Sequence, residues 1–175
     1  RLTLDPVGQL GGPSLAIALA GDFAYLGVGR QVWVLDMRQP AAPVVIGQSE
    51  PLPAVIQDLA LAGSLLAVAA GDSGLHLLDV STPAAPIWRG GLDTNGRSLG
   101  VAAAGAFIFL AESGPFFGGF KIIEISRPDA PRLLSAWRLP EARLPQRSAN
   151  WRPKRGLMRG RSFRMRIQSR LIRNG

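Results

Sequence analysis

Between residues 14 and 137 the chain runs in short apolar stretches, each closed by Gly, Asp, Ser or Pro. In the first part these are Ser14–Leu19, Phe23–Val28, Gln31–Asp36 and Val44–Gly47. Runs this short, rich in Val, Ile, Leu and aromatics, predict β-strands rather than helices. The links between them are short, which permits only antiparallel neighbours, because a parallel return needs a crossover of about a dozen residues. A sheet wetted on one face would alternate apolar and polar positions. Here both parities are apolar: Ala18, Ala60 and Ala102 sit between Ile17, Leu59, Val101 and Leu19, Leu61, Ala103. The runs Phe23, Ala24, Tyr25, Leu26 and Phe107, Ile108, Phe109, Leu110 behave the same way. Sheets of this kind bury both surfaces.

The pattern repeats. Gly21, Gly63 and Gly105 recur at an interval of 42 residues, each inside an Ala-Gly context. Each is followed by an apolar run ending in an acid: VWVLD at Asp36, LHLLD at Asp79 and FKIIE at Glu124. A proline pair three apart comes next, Pro40 with Pro43, Pro83 with Pro86 and Pro128 with Pro131. Four antiparallel strands in about 43 residues is the size of a propeller blade. The fold class expected is therefore all-β, a partial β-propeller of about three four-stranded antiparallel blades, at about 5–49, 50–92 and 93–138. Alanine columns let neighbouring blades approach near the axis. A two-sheet sandwich would not account for the regular interval. Asp36, Asp79 and Glu124 are expected to be structural turn acids, an Asp accepting bonds from backbone N–H groups two residues on. The prolines then fix φ and stop further strand pairing.

The runs VWVLD, LHLLD and FKIIE, each followed by a proline-pair turn, resemble the LVIVD repeat of bacterial and archaeal proteins. The likeness covers roughly residues 14–137 and is nearest in the second copy, GLHLLDVSTPAAP. The third copy departs, with Glu124 for Asp and Arg127 before its proline, and the first lacks the Ser-Thr of the turn. The resemblance implies a β-propeller, a secreted or cell-surface setting and an interaction role. It carries no catalytic residues.

Three blades do not close a ring, since propellers use roughly four to eight, and an apolar terminal face on water is an aggregation hazard. The chain is expected to be a fragment of a larger protein, or to self-associate through its open blade faces.

Charge divides the chain at one point. Residues 1–140 hold nine Lys and Arg against eleven Asp and Glu, whereas 141–175 hold eleven cations against Glu141 alone. The net charge of +8 thus belongs to a basic tail, residues 141–175. Like charge at this density favours disorder. Arginines interleaved with Trp151 and Phe163 can bind nucleic acid, and Met165, Ile167, Leu171 and Ile172 suit a short basic helix on an anionic membrane. The abrupt switch in composition also matches an out-of-frame readout of a GC-rich gene. The longest nearly apolar stretches, 59–71 and 99–111, each have 13 residues, short of the roughly 20 a spanning helix needs.

Candidate chemistry is sparse. With no Cys there is neither a disulfide nor a Cys-based zinc site. His76 is the single imidazole. It shares a repeat column with Trp33 and Lys121, which suggests a partly exposed position. No G-x-S-x-G element occurs, and Gly27 and Gly29 lack the third glycine and following helix of a dinucleotide loop. No catalytic residue, metal or cofactor is assigned. The loop between the second and third strands varies: glycine to acid spans 15, 16 and 19 residues in successive units. Variable loops on a rigid frame often carry binding, so the candidate binding residues are Asp72, Glu112, Phe116 and Phe117 at loop tips. Asp72 and Glu112 offer oxygens to a calcium ion, which needs six to eight, but a turn-capping role for Asp72 is favoured. Phe116 and Phe117 either meet a partner or tuck against the next blade. The function expected is a non-catalytic scaffold binding a protein or carbohydrate partner, with a fragment of a propeller enzyme as the alternative.

Overall fold

A computed structural model describes residues 14–114 and 118–138. Among the described residues twelve strands form three separate four-stranded antiparallel sheets. The first blade holds β1 (Ser14–Ala20), β2 (Phe23–Val28), β3 (Gln31–Asp36) and β4 (Val44–Gln48). The second holds β5 (Asp58–Ala62), β6 (Leu65–Ala69), β7 (Leu75–Asp79) and β8 (Ile87–Leu92). The third holds β9 (Arg97–Ala104), β10 (Phe107–Ser113), β11 (Gly119–Glu124) and β12 (Arg132–Arg138). Each sheet pairs its strands in chain order, and the first strands of consecutive blades meet. The molecule is a partial β-propeller. The basic tail, residues 141–175, lies outside the described residues. Among those residues no helix is long and apolar enough to cross a membrane.

Local chemistry explains the shared outline of the blades. The recurring glycines make the hairpin between the first two strands. Gly21, Gly63 and Gly105 have φ of 56°, 62° and 58°, and a positive φ at the first central position is what a two-residue type II′ turn requires. The residue after each strand-ending acid donates its N–H back to that hairpin: Met37 to Asp22 O, Val80 to Ser64 O and Ile125 to Ala106 O, at 2.7, 2.8 and 2.9 Å. The first proline of each pair then occupies the second position of a β-turn. Ala42 donates to Gln39 O, Ala85 to Thr82 O and Ala130 to Arg127 O, at 2.9, 2.9 and 3.0 Å, the position where proline's fixed φ is favoured. A second proline sits just ahead of the last strand and sets its entry.

Blade stacking makes the core. The second blade is packed on both faces: Leu66, Val68 and Leu78 join the cluster with Tyr25, Val32 and Val34 of the first blade. On its other face, Ala67, Ala69, Leu75 and Leu77 join Ile108, Leu110 and Ile123 of the third. Neighbouring positions along β6 and β7 therefore serve opposite junctions, which is why both parities are apolar. Each fully buried Leu or Ile contributes about 1.5–3 kcal/mol.

Three further contacts tie the junctions. A Cβ on Gly47 in β4 would lie 2.6 Å from Ala84 O in the next blade's proline turn. Gly90 in β8 stands in the same relation to Pro128 O. Nearer the axis, Asp58 Oδ2 accepts the Val101 N–H across the second junction at 2.8 Å, while Oδ1 accepts the Leu59 N–H at 2.9 Å. The exposed edge of β9 is thereby given an acceptor from the neighbouring sheet.

Gly90→Ala should therefore lower stability in urea denaturation by about 1–3 kcal/mol, the usual cost of forcing extra volume into a packed joint. Ser135→Ala, at the corresponding place in β12, should leave the midpoint nearly unchanged.

Candidate loop-face site

Strand order places all the variable loops at one end of the sheets. The turns β2–β3, β6–β7 and β10–β11 lie there with the segments that cross between blades. Ile56 N–H donates to Gly29 O at 2.8 Å and Leu52 N–H to Arg30 O at 2.7 Å, fastening the first crossing to the first turn. In the second junction Gly71 and Ser98 exchange backbone bonds of 3.1 and 2.9 Å. The strand-ending acids are at the opposite end. Asp36 Oδ1 accepts the Arg38 N–H and Asp79 Oδ1 the Ser81 N–H, both at 2.9 Å. The Arg38 guanidinium, with the backbone bond behind it, holds the Asp36 carboxyl below the usual range, and the Ser81 backbone bond does the same for Asp79. Glu124, one methylene longer, instead takes the Ser126 hydroxyl at 3.3 Å and Arg132 at 3.3 Å.

A concavity of about 500 Å³ opens on the loop face between the second and third blades, bordered by Asp72, Asp93, Asn95, Arg97 and Ser113. A second, of about 540 Å³, shares Asp93, Asn95 and Ser113 and runs down to Glu112 and Lys121. Asp72 thus borders the first hollow, at an exposed tip, and Glu112 the second. Phe116 and Phe117 lie outside the described residues.

A polar network borders the second hollow. Glu112 Oε2 is 2.5 Å from Lys121 Nζ, with both side chains largely buried. Lys121 also donates to Thr94 O, and Ser98 Oγ donates to Glu112 Oε1 at 3.3 Å. Thr94 and Ser98 are themselves buried. Above them Asp93 Oδ1 accepts the Asn95 N–H at 2.9 Å, and Asn95 takes a φ of 56°, a conformation its short polar side chain tolerates. Gly96 is pressed close: a Cβ there would meet Glu112 Oε2 at 2.7 Å. The Glu112 carboxylate is therefore engaged in holding the 93–97 loop. Among the described residues no group of three or more His, Cys, Asp or Glu side chains is placed to hold a metal ion.

His76 is a correction to the sequence reading. It is 8% exposed rather than partly exposed. Trp88 Nε1–H donates to Nδ1 at 3.3 Å, which leaves Nε2 as the protonated nitrogen, 3.1 Å from Ser73 Oγ. Ser73 Oγ in turn donates to Ala70 O at 2.8 Å. Burial pushes the imidazole pKa down, partly offset by Ser73. Among Trp33, His76 and Lys121, which share a repeat column, only His76 is buried; the other two are half-buried. Trp33 Nε1 is buried without a partner, whereas the other two are bonded.

Asp93, Asn95, Arg97 and Lys121 were not singled out by sequence reasoning. Lys121 could have been: hairpin pairing sets Leu110 opposite Lys121 and Glu112 opposite Gly119, so Glu112 and Lys121 share one face. Asp93, Asn95 and Arg97 sit in a crossing segment, where no repeat column points to them.

The LVIVD repeat family matches residues 11–50 and 55–94. The third blade, outside both matches, is the unit with Glu124, Arg127 and the longest loop. No curated protein matches the chain. Among solved structures, the crystal structure of the computationally designed Ika4 protein is similar at 12% identity and a TM-score of 0.60, over 74% of this chain and 74% of that one. The computationally designed Ika8 protein is similar at 13% identity and a TM-score of 0.57, over 71% of this chain and 36% of that one. These likenesses are of fold.

Two outcomes are expected. Lys121→Met strands a largely buried carboxylate and should cost about 3 kcal/mol in denaturant; adding Glu112→Leu should recover most of it. His76 binds its proton more weakly in the folded chain than unfolded, so the unfolded state takes up more protons as pH falls. The folded chain should hold full stability above about pH 6.5 and lose it below, and His76→Phe should flatten a melting profile measured from pH 7.5 to about 5.5.

Proposed function

We propose that this LVIVD-repeat chain, a set of propeller blades, is a non-catalytic binding module that meets a protein or carbohydrate partner with its loop face in an extracytoplasmic setting. The observation that carries the reading is the pair of adjoining hollows between the second and third blades. Their rim offers Asp72, Asp93, Asn95 and Arg97, planar donors and acceptors suited to hydroxyl and amide groups. The Glu112–Lys121 pair borders the second hollow and, through Thr94 and Ser98, holds the crossing loop that carries Asp93 and Asn95, so that part of the rim is pre-organised and loses little freedom on binding. Gly114 and Gly118, which flank the extra length of the third unit in sequence, line the second hollow.

The groups best able to move protons are tied into structure. His76 spends both ring nitrogens on Trp88 and Ser73, and Glu112 and Lys121 neutralise each other. That supports a recognition role. The extracytoplasmic setting rests on the family resemblance.

Surface plasmon resonance over a panel of immobilised polysaccharides and cell-surface proteins tests the reading. A binder from that panel should lose at least tenfold in affinity with Asp93→Ala or Arg97→Ala and be unaffected by Arg38→Ala at the opposite end. Loss with Arg38→Ala alone, or turnover of the bound compound, would overturn it.

A further inference from the structure

Trp88 is 56% exposed although both blades at its junction are present. β8 sets it opposite Leu78, and Leu78 packs against the first blade, so the indole lies on the side of the first junction. It borders a groove of about 520 Å³ between β8 and the segment crossing from the first blade, lined also by Glu50, Pro51, Leu52 and His76. The groove shares no lining residue with the two loop-face hollows. It is the repeat counterpart of the second of them. Pro51, Leu52 and His76 stand where Thr94, Asn95 and Lys121 line that hollow, and Trp88 opposite Leu78 stands where Leu133 is opposite Ile123. One gap between blades is thus polar at the second junction and apolar at the first.

Nearly all the hydrogen-bonding groups of this groove are already engaged. Trp88 Nε1–H is held by His76 Nδ1, so what the indole offers is the face of its ring. His76 Nε2 is bonded to Ser73. Ser49 Oγ, also in the lining, donates to Glu50 O and accepts the Val32 N–H, both at 2.9 Å. The Leu52 N–H goes to Arg30 O, and Pro51, Pro53 and Pro86 have no N–H to give. Glu50 is the exception: it is exposed, its carboxylate has no ion-pair partner among the described residues, and no Lys or Arg lines the groove beside it.

We propose that this groove is a second binding site, which docks a proline-rich segment of a partner protein carrying Arg or Lys. The proline rings lie on the Trp88 face and beside Pro51 and Pro86, and the cation meets Glu50. A polyproline II strand suits a surface of rings without donors, because its backbone stays solvated and asks for none, and such strands dock in aromatic-lined grooves. A saccharide carries hydroxyls all round its ring and would leave most of them unmatched here.

Fluorescence anisotropy of the full chain with two labelled peptides tests the proposal: a run of prolines ending in arginine, and the same run ending in glutamate. The arginine peptide should bind about fivefold more tightly, the size expected of a charge pair at an exposed rim. Trp88→Ala should weaken it about tenfold, as loss of an aromatic anchor does. Glu50→Lys, at an exposed position that the fold does not depend on, should invert the preference between the two peptides, and it keeps the test open if Trp88→Ala does not fold. No binding of the arginine peptide, equal affinity for both peptides, a preference that Glu50→Lys leaves in place, or binding indifferent to Trp88→Ala would overturn the proposal. So would a Trp88-dependent affinity for cellohexaose greater than that for the arginine peptide, which would make the groove a saccharide site.

Discussion

Face-to-face stacking of apolar sheets is the constraint on which the rest of this molecule depends. A four-stranded sheet of about forty residues has too little interior of its own, and it becomes stable only when neighbours remove both of its surfaces from water. The second blade meets that condition: Leu66 and Leu78 look one way, Ala67 and Leu77 the other, and all are buried. The turn chemistry serves this end. Hairpin glycines and paired prolines give every sheet a similar outline, so that one blade's edge meets the next blade's turn at Gly47 and again at Gly90.

Rigidity at the junctions lets the loop face be polar without loosening the fold. The Glu112–Lys121 pair sits at the top of the second junction, and its cost of desolvation is met by Ser98 and the Thr94 carbonyl. It spans a gap that apolar packing does not reach, tying a crossing loop to the third blade. His76, at the column position of Lys121, answers the same need with neutral bonds to Trp88 and Ser73. One column thus carries a cation in one blade and an uncharged ring in another.

The fold was legible because its causes are local and repeated. Strand limits in the first unit follow from Gly21, Asp36 and Pro43, each acting within a few residues, and the structure places β2 and β3 at the residues the pattern indicates. Burial on both faces was legible from apolar positions of both parities. The site was less so, since it depends on contacts between units. Nothing in the crossing segment announces that Asn95 adopts a left-handed backbone or that Gly96 lies under a carboxylate. His76 misled for a related reason: a column holding Trp, His and Lys looks tolerant of water, and Trp33 and Lys121 are half-buried, whereas His76 is buried against Trp88 and Ser73 of its own blade.

The glycine and the turn that meet at each junction belong to different repeats. Gly47 is in the first unit and Pro83 in the second; Gly90 is in the second and Pro128 in the third. A unit copied whole therefore carries a socket at one end and a plug at the other, and fits its own duplicate without new mutations. A chain of such units lengthens by tandem duplication at little structural risk.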